Sequence, residues 1–113
     1  MNQLMEKSFD FSIRIIELAK YLERERKQFP YCERLLTCGS GIAVSLRLAE
    51  LYDYQNAASC RQALFYAAEV EYLLEIMVET DYLTQPQSKP ILSDCRTIKT
   101  LIAEMLDKPN DNK

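Results

Sequence analysis

The chain has 113 residues, which is enough for one hydrophobic core and too few for two. Hydrophobic residues make up 48% of it and charged residues 27%, so disordered and fibrous proteins are excluded and a helical globular protein is favoured. The net charge of −3 argues against a generally basic nucleic-acid binder, although the first half carries enough lysine and arginine for a local basic patch.

Neither a membrane segment nor a metal site is predicted. No apolar run approaches the roughly 20 residues that cross a bilayer, and the opening MNQLMEKSF lacks the pattern of a signal peptide, so we expect a cytoplasmic protein. The chain has no histidine and no CxxC pair. We therefore expect no metal or other cofactor, and we interpret the four cysteines as small buried thiols: Cys32, Cys38, Cys60 and Cys95.

Residues 8–28 predict the first helix, with Ser8 as a candidate N-cap. Pro30 is expected to end it at Phe29, because proline forces the preceding residue out of the helical region. Two adjoining apolar stripes run along this helix, and together they are wider than one partner helix covers. We expect it to contact several helices or another subunit through these stripes: Phe9, Ile13 and Ile16, and Phe11, Ile15, Leu18 and Leu22.

Residues 31–53 predict the second helix, which contains both glycines of the chain in the segment TCGSGIAVS. Each glycine inside a helix costs about 1 kcal/mol relative to alanine. The spacing of Thr37, Gly41 and Ser45 forms a row of small residues that would let another helix approach closely. The segment matches neither glycine-rich nucleotide-binding pattern, so we interpret it, Gly39 included, as packing core.

A third helix is predicted from Asn56 or Ser59 to about Asp81. It has two apolar faces, which is typical of the centre of a bundle or of a helix shared with a neighbouring subunit. Glutamates recur at four-residue spacing along the remaining edge, and we interpret them as a solvated surface and not as a metal site: Glu71, Glu75 and Glu79.

The fourth helix has two candidate starts after the connection 82–90. Thr84 followed by Gln87 fits a capping box, whereas Ser88 with Pro90 in the first turn fits a later start. The helix ends at Leu106, and residues 108–113 are expected to fray. With no strand pattern, the chain predicts one all-α domain over 1–113, an antiparallel up-down-up-down four-helix bundle with a folded core of about 6–107.

Two segments resemble a known bacterial family. LLTCGSGIAVSLRLAEL aligns without gaps with LLRSGTSIGANIAEA, and QALFYAAEVEYLL aligns with IALKEAxETxYWL. Both patterns belong to a branch of the four-helix-bundle proteins encoded within intervening sequences of large-subunit ribosomal RNA genes, a family that includes the accessory variability determinant proteins of diversity-generating retroelements. The matching positions are Leu35, Leu36, Gly39, Ile42, Ala49, Ala63, Leu64, Ala67, Glu69, Tyr72 and Leu74.

The sequence departs from that branch at four neighbouring positions. Where the branch has Asn, Glu, Lys and Glu, this chain has Ser45, Leu48, Phe65 and Tyr66. If the family residues form a polar cluster, hydrophobic packing replaces it here, an exchange that is often neutral or stabilising. We expect Leu48 to pack against Phe65 or Tyr66, within the subunit or across an interface.

The resemblance implies a non-enzymatic homo-oligomer, a pentamer, that acts as a scaffold and docks a protein or ribonucleoprotein partner. We expect close helix packing or subunit contact at Thr37, Gly39, Gly41, Ser45, Leu48, Phe65 and Tyr66. The alternative is direct RNA or DNA binding through a local basic patch of Arg24, Arg26, Lys27, Arg34, Arg47 and Arg61. An enzyme is disfavoured because a chain without histidine has no ordinary Ser-His or Cys-His pair.

Overall fold

The computed structural model describes residues 2–52 and 56–107, and these residues form four α-helices. The predicted tail 108–113 and the predicted end of the second helix at residue 53 lie outside the described residues. None of the four helices, over their described lengths, is both long enough and apolar enough to cross a membrane. The helices are α1 (Asn2–Arg24), α2 (Cys32–Leu51), α3 (Asn56–Glu79) and α4 (Gln85–Asp107).

The helices occupy the corners of a square. Each packs against the helices before and after it in the chain, and α4 returns to pack against α1. Neighbours run antiparallel, because along α1 and α4 one residue number rises as the other falls: Tyr21 meets Gln87, and Arg14 meets Asp94. The fold is therefore the predicted all-α, up-down-up-down four-helix bundle.

The predicted apolar row of α2 lies in the core, and it includes Leu35, Ile42 and Leu46. Gly39 belongs to the same row and allows α1 to come close, since a Cβ placed on it would lie 3.0 Å from two side-chain carbons of Ile15. Its carbonyl accepts a hydrogen bond of 3.2 Å from the Ser12 hydroxyl. The missing side chain of Gly39 thus fixes how tightly the first two helices pack.

The first helix differs from its prediction at both ends. It begins at Asn2, and Ser8 is not an N-cap but a buried residue inside the helix, whose hydroxyl donates to the Met5 carbonyl. The amphipathic pattern continues to Leu4, which is also buried, so the folded core begins before residue 6. The helix ends at Arg24 and not at Phe29.

A left-handed residue ends α1 before the proline can. Arg26 has a φ of 56°, its N–H bonds the Glu23 carbonyl, and the Lys27 N–H bonds the Leu22 carbonyl at 2.8 Å. This pair of bonds is the Schellman motif, which usually has glycine in the left-handed position. The same arrangement ends α3 at Glu79, where Asp81 has a φ of 68° and Tyr82 donates to the Met77 carbonyl.

The fourth helix takes the earlier of its two predicted starts. The Thr84 N–H donates to the side-chain oxygen of Gln87 at 2.8 Å, and the Gln87 N–H donates to the Thr84 hydroxyl at 3.3 Å. These reciprocal bonds are a capping box. Ser88 instead lies within the helix and is buried.

The α1–α2 and α3–α4 connections lie at the same end of the bundle and are joined there by a clasp of Gln28, Phe29 and Tyr82. The Phe29 and Tyr82 rings meet edge to face with centroids 5.1 Å apart, and the Tyr82 hydroxyl donates to the Gln28 carbonyl at 3.2 Å. The Lys27 ammonium group of the α1–α2 connection also donates a hydrogen bond to the Tyr82 carbonyl. The two connections are therefore held together directly.

Candidate interaction face

One exposed apolar stripe lies on α1, on the side that faces α2. It consists of Phe9, Ile13 and Ile16, and we call it the first apolar side. Ser12 belongs to the same face of the helix and bonds the Gly39 carbonyl of α2. The Arg47 guanidinium of α2 lies 5.9 Å from the centroid of the Phe9 ring. These contacts place the stripe beside α2 and away from α4.

A second exposed apolar region extends from the outward surface of α2 to the neighbouring edge of α3. Its α3 part lies beside α2, because Phe65, Glu69 and Tyr72 follow one helical row and Glu69 bonds an arginine of α2. Its α2 part follows a row of its own, opposite the buried row of that helix. We call this region the second apolar side, and it consists of Val44, Leu48, Leu51, Phe65 and Tyr72.

Close approach of α2 and α3 depends on Gly41. A Cβ on Gly41 would lie 2.8 Å from a ring carbon of Tyr66, so the aromatic ring occupies the space that a side chain would need. Ser45, one turn further along, is buried at 2% exposure, whereas Thr37 is exposed. The predicted row of small residues thus contacts α3 through its middle and reaches the surface at its start.

The sequence predicts that Leu48 packs against Phe65 or Tyr66, within the subunit or across an interface. In the single chain the side chains of Leu48 and Phe65 are 37% and 69% exposed. Because Gly41 lies opposite Tyr66 and the helices run antiparallel, Leu48 lies opposite about residue 59, roughly 9 Å along the axis from Phe65. Leu48 and Phe65 are therefore too far apart to touch within one subunit, and a contact between them across an interface stays a prediction.

The six basic residues predicted as a nucleic-acid patch are spread over the bundle. Arg34 and Arg47 lie on the same helix, about 20 Å apart along its axis. Arg61 lies on α3 near the Arg47 end, whereas Arg24, Arg26 and Lys27 lie beyond the other end of α2.

Several of these cations already have partners. Arg34 makes two hydrogen bonds to Glu69, of 2.5 and 2.7 Å, and this pairing lowers the pKa of the Glu69 carboxyl. Lys27 bonds the Tyr82 carbonyl, and Arg47 lies against the Phe9 ring. The fold therefore does not gather these six residues into one phosphate-binding surface.

The cysteines have the properties of packing residues. All four are free thiols, and burial raises the pKa of Cys95 to about 12 and that of Cys38 to about 11. A nucleophilic cysteine requires the opposite shift. Within the described ranges, no three cysteine, aspartate or glutamate side chains come together as a metal site would need.

The α3–α4 side is polar, and the prediction that all three of its glutamates are solvated is wrong for Glu71. Glu71 is predicted as solvated, but its side chain is only 16% exposed and bonds Lys99 at 2.5 Å and Arg96 at 2.7 Å. These bonds, the one from Lys99 first, lower the pKa of the Glu71 carboxyl. Glu75 stays largely exposed and touches Arg96 more loosely, at 3.4 Å.

Comparison with known proteins identifies the family. The family model described as 23S rRNA-intervening sequence protein matches residues 1–104. This chain belongs to that family. A crystal structure of a protein of unknown function from the S23 ribosomal protein family of Bacteroides thetaiotaomicron is similar, with a TM-score of 0.88 and 31% identity over 93% of this chain and 99% of that one. No curated protein matches.

Membership of the intervening-sequence family confirms the sequence resemblance and the fold that it implies. The relation to retroelement accessory proteins stays a prediction. Sequence reasoning identified the first apolar side by its periodicity but omitted Val44, Leu51 and Tyr72 from the candidate contacts. The sequence does indicate the two α2 residues, because residues 44, 48 and 51 follow an i, i+4, i+7 spacing opposite the buried row of the same helix.

Proposed function

We propose that this protein is a non-enzymatic helical scaffold that assembles with copies of itself and, once assembled, docks a protein or ribonucleoprotein partner in the cytoplasm. The observation that carries the proposal is the pair of uncovered apolar sides on α1, α2 and α3. Four free thiols fit a reducing compartment. The resemblance to the retroelement accessory proteins supports the docking of a partner.

The exposed area favours a second copy of this chain as the occupant. The eight side chains of the two apolar sides are roughly half exposed, which leaves about 800 Å² of apolar surface uncovered. A specific protein interface buries about 1,600 Å² in total, and slightly more than half of that area is apolar. One contact that covers each of the two sides once would therefore bury an apolar area of the size found in an interface.

Light scattering on the purified full-length protein tests self-assembly. We expect a mass that is a multiple of the 13.2 kDa chain at micromolar concentration. Phe65→Glu should lower that mass, because it places a charge in the second apolar side, whereas Thr100→Glu on the exposed surface of α4 should leave it unchanged. A wild-type protein that stays monomeric at micromolar concentration would contradict the proposal.

The salt dependence of RNA retention distinguishes docking of a partner from direct nucleic-acid binding. Phosphate contacts weaken steeply between about 50 and 200 mM salt because they depend on counterion release. With a net charge of −3 and its cations dispersed, the chain should not retain RNA even at low salt. Salt-sensitive retention of RNA by the isolated protein would favour direct RNA binding instead.

A further inference from the structure

We infer that the groove between the end of α3 and the start of α4 binds an amphipathic helix of a protein partner. Binding there rests on the proposed docking of a partner, and it specifies both the surface and the kind of segment that docks. The groove has a volume of about 670 Å³. None of its lining residues belongs to either apolar side.

Apolar side chains form the floor of this groove. Val78 of α3 and Leu92 of α4 line it, together with Pro86, although the α3–α4 side is otherwise polar. Val78 is half-buried and Leu92 is buried, so the surface that they still expose lies at the bottom of the groove. An apolar side chain of a partner would leave water there, which is favourable.

The two walls of the groove carry opposite charges. Glu79 stands on the α3 wall and Lys89 on the α4 wall, and neither forms an ion pair with another described residue. Glu75 and Arg96 also line the groove, and they contact each other at 3.4 Å. A partner helix with cations along one edge of its apolar face and carboxylates along the other edge would complement both walls.

The stability of the bundle does not account for Glu79 and Lys89. Glu79 is the last residue of α3, where the helix dipole is negative, and Lys89 is the fifth residue of α4, near the positive end of that dipole. Each charge therefore has the less favourable sign for its own helix. Recognition of a charged partner gives both residues a role that folding does not.

The shape of the groove favours a helix as its occupant. Its lining residues extend from Gln85 to Arg96, about 16 Å along α4, which is the length of about three helical turns. Extended peptides usually add to a sheet edge, and proline-rich peptides bind grooves lined by aromatic rings. The described residues form no strand, and no aromatic residue lines this groove. An RNA backbone would bring its phosphates towards the glutamates of the α3 wall.

A synthetic peptide of about 18 residues tests the groove, since shorter isolated helices are marginal in water. Its leucines follow an i, i+4, i+7 spacing, with lysines along one edge and glutamates along the other. A second peptide of the same composition has its leucines dispersed around the helix. On the full-length protein with labelled methyl groups, the first peptide should shift the NMR signals of Val78 and Leu92 but not those of Val44 and Leu48, and the second should shift none of them.

Exchanging the wall charges tests the complementarity. Glu79→Lys should weaken binding about tenfold, because an attraction is replaced by a repulsion. Adding Lys89→Glu should restore binding, because the peptide can then bind in the opposite direction, and both changes suit the helix dipoles, so the fold should persist by circular dichroism. The control is Glu104→Lys, exposed on α4 about 12 Å beyond Arg96, which makes the same change in charge and should leave binding unaltered.

Several outcomes would overturn the inference. These are equal binding of the two peptides, a double variant as weak as the single one, and no shift at Val78 and Leu92. Peptide-induced shifts confined to Val44 and Leu48 would place the peptide on the second apolar side instead. Shifts of the groove signals with protein concentration alone would assign the groove to a second copy, and shifts caused only by single-stranded RNA, titrated in parallel, would assign it to nucleic acid.

These failures are distinct from a failure of self-assembly, which light scattering measures. A protein that assembles but does not bind the peptide retains the proposed self-assembly and loses the groove as a docking site. A monomeric protein that binds the peptide, with the expected response to the charge exchange, retains the groove and loses self-assembly.

Discussion

Helices α2 and α4 occupy opposite corners of the same bundle, and their outward surfaces have opposite chemistry. Each helix buries one face in the shared core. Outward, α2 presents Val44, Leu48 and Leu51, whereas α4 presents residues such as Lys89, Arg96 and Thr100. No large hydrophobic residue in the described part of α4 is strongly exposed.

The means of attachment differ in the same way. Hydrogen-bonded ion pairs join α4 to its neighbours, from Arg14 to Asp94 and from Lys99 to Glu71. Around α2, close packing at Gly39 and Gly41 holds α1 and α3, and one ion pair, between Arg34 and Glu69, joins α2 to α3. Water solvates an α4 surface of this kind well, whereas burial against another apolar surface is favourable for the surface around α2. We call the polar side of the bundle the solvent side, and the apolar side the interaction side because we propose that it binds another copy.

The largest effect is expected at the close approach on the interaction side. Gly39→Leu should lower the free energy of unfolding by about 3 kcal/mol, because its Cβ would already meet the buried Ile15 side chain at 3.0 Å and the rest of the leucine has no room. Urea unfolding measures the change. Ser40→Leu, at the neighbouring exposed position, is the control and should stay within about 0.5 kcal/mol of the wild type. Equal losses in the two variants would show that Gly39 does not set the helix spacing.

A smaller effect is expected at the ion pairs on the solvent side. Glu71→Gln should lower the free energy of unfolding by about 1–2 kcal/mol at pH 7, because the carboxylate receives bonds from Lys99 and Arg96. The folded-state pKa of Glu71 is lowered, so its contribution is present above the ordinary glutamate value of 4.5 and is lost as the pH falls through the folded-state pKa. Urea unfolding between pH 7 and 3 should therefore show the difference between variant and wild type shrinking in acid.

The control for that experiment is Glu75→Gln, since the Glu75 carboxylate is 53% exposed and makes one long contact of 3.4 Å. It should change stability by less than about 0.5 kcal/mol at any pH. A Glu71 variant whose deficit stays constant down to pH 3 would show that the carboxylate charge is not what stabilises this side.

The smallest effect on stability is expected at a feature that the solvent side and the interaction side share, the turn that precedes α2 and the turn that precedes α4. The turns that lead into α2 and α4 both use a Schellman motif with a non-glycine residue, Arg26 and Asp81. Arg26→Gly and Asp81→Gly should each stabilise the fold by about 0.5–1 kcal/mol, because glycine adopts positive φ without a steric penalty. Thermal unfolding measures the gain. Lys20→Gly, at an exposed position inside α1, should destabilise by about 1 kcal/mol.

The sequence predicted the helices well wherever side-chain periodicity carried the information. The buried row of α2 through Leu35, Ile42 and Leu46 followed from its spacing, and so did the wide apolar arc of α1. The start of α1 was misplaced because Ser8 fits an N-cap by residue type, while the helical pattern continues to Leu4. The end of α1 was misplaced because Arg26 gives no sign in the sequence that it adopts a left-handed conformation.

The candidate site was harder to predict, because its features depend on which helices become neighbours. The pairing of Arg34 with Glu69 joins residues that are far apart in sequence, and it removes one cation from the predicted basic patch. The separation of Arg47 and Arg61 from Lys27, which lies near the other end of the bundle, likewise depends on the antiparallel order of the helices. Periodicity identifies an apolar stripe such as Phe9, Ile13 and Ile16, but only the fold shows that it remains uncovered.

The clasp between Phe29 and Tyr82 has a consequence for the size of the assembly that we propose. It connects the link that precedes α2 with the link that precedes α4, so the two helix pairs cannot splay apart at that end. The relative positions of the two apolar sides are then fixed by the folded chain. We therefore expect the proposed self-assembly to give one discrete size by light scattering, and Tyr82→Ala should broaden that size distribution.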